Sequence, residues 1–445
     1  MRRLVKILML FSCVIGGNIH LAAQDTLAVQ SAKADYRYES LIDLKDKYKA
    51  RIDSLSYRQY LEKDYVGLIE TGKNAALNGV DFYYLTYRTA IAYYELKNYA
   101  KAIEYYRKAL AKTPEDVVLN SGLYYAYLLS GQKTNADILW QENSRKKITT
   151  YPFKLSAVNY AGVSGGFIAS GNKETTDNEQ YQYRDMYYGD FKIGFNLSTR
   201  WKLHLGAQFY NTDYVKYNQG AASNTDMLSQ YTLIGGMDYT LDNSWQLGFS
   251  GAFYQIENNT KTSNGAGNGV TSNATNFTSA YSGLVFINKR FTYVLPEISA
   301  AFSNFGGYNQ YQTALNLTYY PLGNVNLYSA TAAAFIANTG GYVQQQFLFS
   351  EKLGFKTVKN LWLEGMFSVG NHTNYITNRA FLTYDTYDPI KLMAGATATY
   401  YFSRFNISFT YQYQQREATI YKNSAYFSSK KYNNQLFNVG LLWNF

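Results

Sequence analysis

The chemistry this sequence offers sits in charged side chains spaced two apart along strand-like stretches. Lys192, Lys202, His204, Lys352, Lys356 and Lys391 fall on the polar parity of their stretches, beside Asp190, Asp238, Glu297 and Glu364. Residues two apart share one face of a strand, so a ring of such strands would line a conduit with both signs of charge. An interior packed with mutually paired charges fits the same positions. Tyr210, Tyr254, Tyr320 and Tyr401 on that parity suit stacking on sugar rings, or plain filling of space.

Catalysis has little footing. The histidines are His20, His204 and His372, and His20 lies in a leader-like stretch. A barrel hydrolase needs a serine and a histidine side by side, and no serine motif accompanies His204 or His372. No Cys/His cluster has metal-ligand spacing. Asp385 and Asp388, within Tyr384-Asp385-Thr386-Tyr387-Asp388, could hold Ca²⁺, though a solvated loop explains them as well. The chain is therefore expected not to be an enzyme and to carry no cofactor, metal or catalytic residue. The Asn-, Gly-, Ser- and Thr-rich stretch 258–276 reads as an exposed loop.

The elements that position these residues follow from pattern. Of 445 residues, 47 are Tyr, 26 Phe and only 5 Pro, a composition suited to many paired strands joined by polar loops. The net charge of +10 comes without a basic, aromatic-interleaved module, so nucleic acid is not an expected partner. Residues 1–23 read as a signal peptide: Arg2, Arg3 and Lys6, then the apolar run Ile7 to Ile15, then Leu21-Ala22-Ala23. Cleavage after Ala23 would remove Cys13, the sole cysteine; a lipoprotein box at Leu10 to Cys13 is the alternative.

Residues 34–145 have helical periodicity and an internal repeat. Lys63 to Glu70 is echoed 34 residues later by Lys97 to Glu104, and Ala90, Tyr93, Ala102, Tyr106, Ala109 and Pro114 make up the clearest copy. About three repeats are expected, with a capping helix near Tyr36 to Leu55. After a polar connector (146–152) the period changes to two and holds through 153–445. Alternation marks 14 strands, the clearest being Trp201 to Tyr210, Phe405 to Gln414 and the last, where Phe437, Val439, Leu441, Trp443 and Phe445 share one face. Apart from the leader no apolar run reaches the ~18 residues of a transmembrane helix, but a closed barrel crosses a bilayer without one. The reading is multidomain: an N-terminal α-helical solenoid, then a C-terminal antiparallel transmembrane β-barrel of about 14 strands. Short turns alternate with longer connections at 170–186, 211–228, 257–277, 370–389 and 415–434. The closing strand should pair with the stretch near Lys154 to Phe167. One residue resists: Glu351 falls on the lipid-facing parity of Phe347, Phe349, Leu353 and Phe355, which calls for a bulge, an interfacial depth or a shifted register.

The Thr89 to Pro114 pattern resembles a tetratricopeptide repeat. Together with the terminal Phe445 barrel strand, the domain order is similar to outer-membrane exopolysaccharide exporters of the poly-N-acetylglucosamine and cellulose type and to the YaiO-like barrels. It also resembles the surface-lipoprotein assembly modulators. This resemblance implies a periplasmic repeat domain under an outer-membrane pore or secretion component for a polysaccharide or other envelope polymer. A scaffold or protein-translocation component is the alternative. The partners implied are outer-membrane lipid, the barrel-assembly machinery reading Trp443 and Phe445, and a periplasmic protein or polysaccharide held by the repeats, with Tyr93 and Tyr106 as the expected partner surface.

Overall fold

The computed structural model describes residues 44–149, 152–173, 179–218, 221–241, 244–263, 270–305, 307–340, 345–380, 382–384, 388–422 and 425–445. The leader, Cys13, His20 and Asp385 lie outside these. The chain divides into two compact units, one ending at Arg88 and one running from Thr89 to Phe445.

Six helices come first: α1 (44–61), α2 (Tyr65–Leu77), α3 (Tyr83–Glu95), α4 (Tyr99–Leu110), α5 (Val117–Leu129) and α6 (Lys133–Arg145). The 34-residue repeat is visible in the backbone. Lys63, Lys97 and Gly131 occupy the same repeat position and all are left-handed, with φ of 58°, 60° and 79°, which reverses the chain between paired helices. Just after them, Asp64 and Asn98 cap the next helices through the amides of Gly67 (2.9 Å) and Lys101 (3.2 Å). The fully buried alanines Ala75, Ala90, Ala102, Ala109 and Ala136 let helices approach closely. In the first unit Ile52, Ala75, Val80 and Leu85 make the core, and Arg88 bonds Asp53 (2.7 Å) and Ser56 (2.8 Å). The expected capping helix thus belongs to the first helical pair, and its described part begins at residue 44.

Fourteen antiparallel strands then close into a barrel: β1 (Val158–Ala169), β2 (Glu179–Asn196), β3 (Trp201–Asn218), β4 (Ala221–Thr240), β5 (Trp245–Ser263), β6 (Val270–Lys289), β7 (Val294–Phe305), β8 (Tyr308–Tyr319), β9 (Leu327–Asn338), β10 (Gln345–Val358), β11 (Leu361–Gly370), β14 (Ile390–Tyr401), β15 (Phe405–Lys422) and β16 (Ala425–Asn444). Between β11 and β14 the chain makes a separate two-stranded hairpin, β12 (Tyr375–Thr377) with β13 (Leu382–Tyr384). Closure is made where the terminal strand meets the first: Tyr160 lies opposite Asn444 and Phe167 opposite Phe437, and the Phe445 amide reaches the Asn159 carbonyl at 3.0 Å.

The outer face is apolar and half-exposed, as in Phe347, Leu315, Phe409 and Val439. All four barrel tryptophans, Trp201, Trp245, Trp362 and Trp443, are the first or second residue from a strand end at the short-turn end. There Trp201 lies 4.6 Å from Tyr239, and Lys289 and Lys356 sit over Trp245 (4.8 Å) and Trp362 (4.6 Å). An aromatic ring with basic side chains reaching toward water is the composition of a membrane interface.

Two expectations need correction. The loops expected at 170–186, 211–228, 257–277 and 415–434 are in large part strand: β2 to β6, β15 and β16 run 18–20 residues. Above the apolar band both faces are polar, so the period-two signal fades although the backbone ladder continues. Glu351 needs neither a bulge nor a shifted register. The pairing of β10 with β9 is regular through Glu351 opposite Thr331, and the Thr331 hydroxyl donates to the carboxylate at 2.6 Å.

Candidate functional site in the barrel lumen

Parts of the chain pack across the strand ends at both ends of the barrel. At the short-turn end α4–α6 are tied to successive turns. The Ala100 amide donates to the Gly323 carbonyl (2.9 Å), Asn98 to Tyr293 (3.1 Å), Asn135 to Ser244 (3.0 Å), Thr199 to Gln141 (2.9 Å) and Lys202 to Thr134 (2.6 Å). Gly323 has φ +67°, and a Cβ there would lie 2.2 Å from Asn98, so only glycine fits the close approach. At the far end β1 stops at Ala169 and β14 begins at Ile390, which leaves an edge of β2 and an edge of β15 without their usual neighbours. Those edges pair with each other, Ile420 opposite Gln180 and Tyr421 opposite Glu179. Unpaired edges are costly, and Gln180, Gln182 and Ala418 beside this pairing are buried.

Inside the barrel lies a cavity of about 1100 Å³, lined among others by Tyr188, Lys192, Glu297, Lys352, Arg416 and Asn438. The segment 371–380, which carries β12, projects into the lumen. Its seat is an apolar patch on the inner wall: Ile376 and Ala380 pack with Leu284, Phe286 and Ala301, and Tyr375 against Ala314, Ala334, Ile336 and Leu348. Gln312 brackets Ile376, accepting from its amide at 3.0 Å and donating to its carbonyl at 2.7 Å, and Gln310 donates to the Asn374 carbonyl at 2.8 Å. Next comes a turn in which Asn378, Arg379 and Ala380 are all left-handed, with φ of 50°, 56° and 66°. Non-glycine residues pay for that conformation in steric strain.

The turn aims Arg379 at Asp238, with which it forms an ion pair, while its guanidinium lies 4.3 Å over the Phe286 ring. The carboxylate is buried and accepts also from Gln246 (3.2 Å) and contacts His204 Nε2 (3.1 Å), whose Nδ1 meets the Tyr160 hydroxyl at 3.0 Å. Gly248 leaves the room this carboxylate occupies, since a Cβ there would lie 2.6 Å from it. At the base of the segment, His372 Nδ1 faces the carbonyls of Ile390 (2.8 Å) and Gly370 (3.1 Å), which makes it the donor, and Nε2 then accepts from the Ser368 hydroxyl at 2.7 Å. Burial holds this imidazole below its usual pKa, in the neutral form this arrangement requires. A serine beside a histidine is the juxtaposition that the sequence did not disclose. The Ser368 hydroxyl also faces the Phe349 carbonyl at 3.1 Å, and the pair acts as a clasp on the two ends of the inserted segment.

Of the residues expected to line the lumen, Lys192, His204, Glu297 and Lys352 border the cavity, and Asp238 anchors Arg379. Glu364 accepts from Tyr328 and lies 3.5 Å from Lys352. Lys202 is turned toward α6 through Thr134. Lys391 does not line the cavity. A register shift between Ile390 and Leu392 turns it to Glu417 (3.3 Å), on the parity opposite to the cavity-lining Gln412, Gln414 and Arg416. Tyr93 and Tyr106 are not a partner surface: they are 7% and 4% exposed. They are the large residues that fill the space between paired helices, Tyr93 lying 5.2 Å from Tyr105, and Gly122 makes room for the Tyr106 ring. Trp443 and Phe445 lie half-exposed on the outer face of the closing strand. Arg379, Asn378, Gln310, Gln312 and Arg416 were missed. The one signal was that β9, Leu327–Asn338, is apolar on both faces, which a water-filled lumen does not explain.

The fold defines a class: a helical-repeat region joined to a closed antiparallel barrel of membrane type. The repeat assignment is matched by the tetratricopeptide-repeat family over residues 84–116. A comparison with curated protein sequences found no match. Among solved structures, the barrel is similar to a FadL homologue of Pseudomonas aeruginosa, at 9% identity over 65% of this chain and 90% of that one, with a TM-score of 0.46. The translocator domain of the autotransporter NalP from Neisseria meningitidis gives 11% identity over 72% and 100%, with a TM-score of 0.34. A bacterial polysaccharide outer membrane secretin gives 11% over 66% and 100%, with a TM-score of 0.35. Membership of the barrel class rests on the closed register and the apolar, aromatic-rimmed outer face.

Proposed function

We propose that the chain is an outer-membrane pore or secretion component for a polysaccharide or other envelope polymer, with the helical repeats in the periplasm and no enzymatic activity. One observation carries this reading. The lumen is polar and bears both charges, yet the segment that occupies it belongs to a hairpin outside the barrel sheet. Side chains such as Gln312 and Asp238 hold it, so it can leave without breaking the wall. A structural plug built only for stability would more simply be paired into the ladder. Insertion into planar bilayers tests this: ion conductance with discrete openings is expected, and a barrel that stays silent under applied voltage, with the Asp238–Arg379 pair removed as well, would sink the proposal.

A second reading keeps the barrel as an anchor and gives the work to the repeats, which would bind envelope proteins. It draws on the exposed apolar side chains of α5: Val117, Val118 and Tyr125 are each more than half exposed. Photocrosslinking from position 125 should then capture one discrete envelope protein. Recovery of glycan alone would argue for the conduit.

A further inference from the structure

The cavity wall contains a buried guanidinium with an N–H that no acceptor of the fold takes. Arg416 on β15 is 2% exposed and borders the cavity. Its Nε and Nη2 donate to Gln414 Oε1 at 3.3 and 3.0 Å, while Nη1 is buried with no hydrogen-bond acceptor. Among the described residues Arg416 has no ion-pair partner within 4.0 Å. The Asp388 carboxylate acts on its charge from beyond that distance, and the Tyr432 hydroxyl lies between them, accepting from Arg416 and donating to Asp388 at 2.8 Å. Gln414 in turn donates to Gln412 at 2.7 Å, so the amide row is spent on orienting the guanidinium rather than on satisfying it. A buried guanidinium with an idle N–H is costly unless an acceptor of opposite charge completes it, and a planar fork presented to a cavity suits an oxyanion.

We propose that Arg416 is the anchor of an oxyanion subsite inside the lumen, which takes the acidic group of a charged sugar unit. The surroundings favour a sugar acid over a bare ion. Asn438, Gln412 and the Tyr188 hydroxyl border the same cavity, and neutral amides and hydroxyls pair with sugar hydroxyls. The volume of about 1100 Å³ exceeds what a single small ion needs and matches the upper range of ligand pockets. The assignment of a sugar rests on the conduit reading above; the oxyanion site itself does not.

Isothermal titration of the full chain in detergent, at constant ionic strength, tests the site without requiring conduction. The probes are trigalacturonate, the neutral maltotriose and inorganic phosphate. Trigalacturonate should bind, maltotriose at least about tenfold more weakly, and R416Q should lose about tenfold or more for the acidic sugar while R416K keeps part of it. Equal trigalacturonate binding by the wild type and R416Q, or maltotriose binding as well as the acid, would overturn the proposal. Phosphate binding without trigalacturonate binding would overturn the sugar assignment. If R416Q does not fold, competition in the wild type decides: phosphate must displace trigalacturonate, and failure to displace it counts against a shared oxyanion site. Binding by a barrel that never conducts would sink the conduit and spare the site, whereas conduction without binding would do the reverse.

Discussion

Replacing Arg379 by Ala should release the luminal segment. Asp238 is buried and would be left with Gln246 and His204 as its remaining partners. Breaking a fully buried pair costs about 3–5 kcal/mol. The Arg379 side chain is 35% exposed, so solvent screening reduces the value to about 1–3 kcal/mol. Opposing the latch is the turn itself, where Arg379 and Ala380 in the left-handed region store roughly 1 kcal/mol each and Asn378, which tolerates that region, stores less. Latch and strain are of the same order, so the segment is held with little surplus beyond the Gln312 bracket and the burial of Ile376. A loss of about 2 kcal/mol shifts the released population about 30-fold, which takes a state at about 1% to about a quarter. Single-channel recording reads this as open probability. The D238N variant should behave like R379A, and the double variant should add little to either, because both remove one interaction. Open probabilities indistinguishable from the wild type in both single variants would refute the latch.

Other outcomes follow from the same geometry. Ala380→Gly relieves one left-handed residue at φ 66°, so it should lower open probability by roughly threefold to tenfold, about 1 kcal/mol of relief; a rise would mean the turn is not strained. Deleting Trp443 to Phe445 removes the rungs opposite Asn159 and Ala161 at the closure and should abolish heat-modifiable barrel formation on electrophoresis. Tyr106→Ala empties a buried site in the repeat core and should destabilise the helical domain by about 3–5 kcal/mol in chemical unfolding followed by circular dichroism. Burial pushes Asp388 up to about 6, against the lowering effects of the Tyr432 hydrogen bond and Arg416. A carboxyl whose folded pKa is raised gives stability that is fully present below about pH 4 and lost as pH rises through about 6. Hydrogen exchange in β15–β16 should therefore be faster at pH 7 than intrinsic rates explain, and D388N should remove that difference between pH 4 and 7.

How much was legible in the sequence differs by layer. The repeat positions Ala90, Ala102 and Ala109, the strand parity of Trp201 to Phe209 and the terminal Phe437 to Phe445 face all follow from which side of a helix or strand meets water, lipid or a neighbour. That choice repeats every few residues, so a single sequence determines it. It determined the order of domains, the strand count and the closure between the first and last strands. Burial of Tyr93 and Tyr106 was within reach, because signature aromatics of a helical repeat fill its core. What occupies the lumen was not. Asp238 and Arg379 are separated by 141 residues, and Gln312 meets Ile376 across 64; neither pairing leaves a periodic trace. The same holds for α4–α6 against the turns, and for the long hairpins whose two polar faces erase the alternation while the ladder persists. Local patterning records the solvent each face sees. Only the closed ring brings distant inner faces together, and it is there that the segment, its latch and the idle N–H of Arg416 are decided.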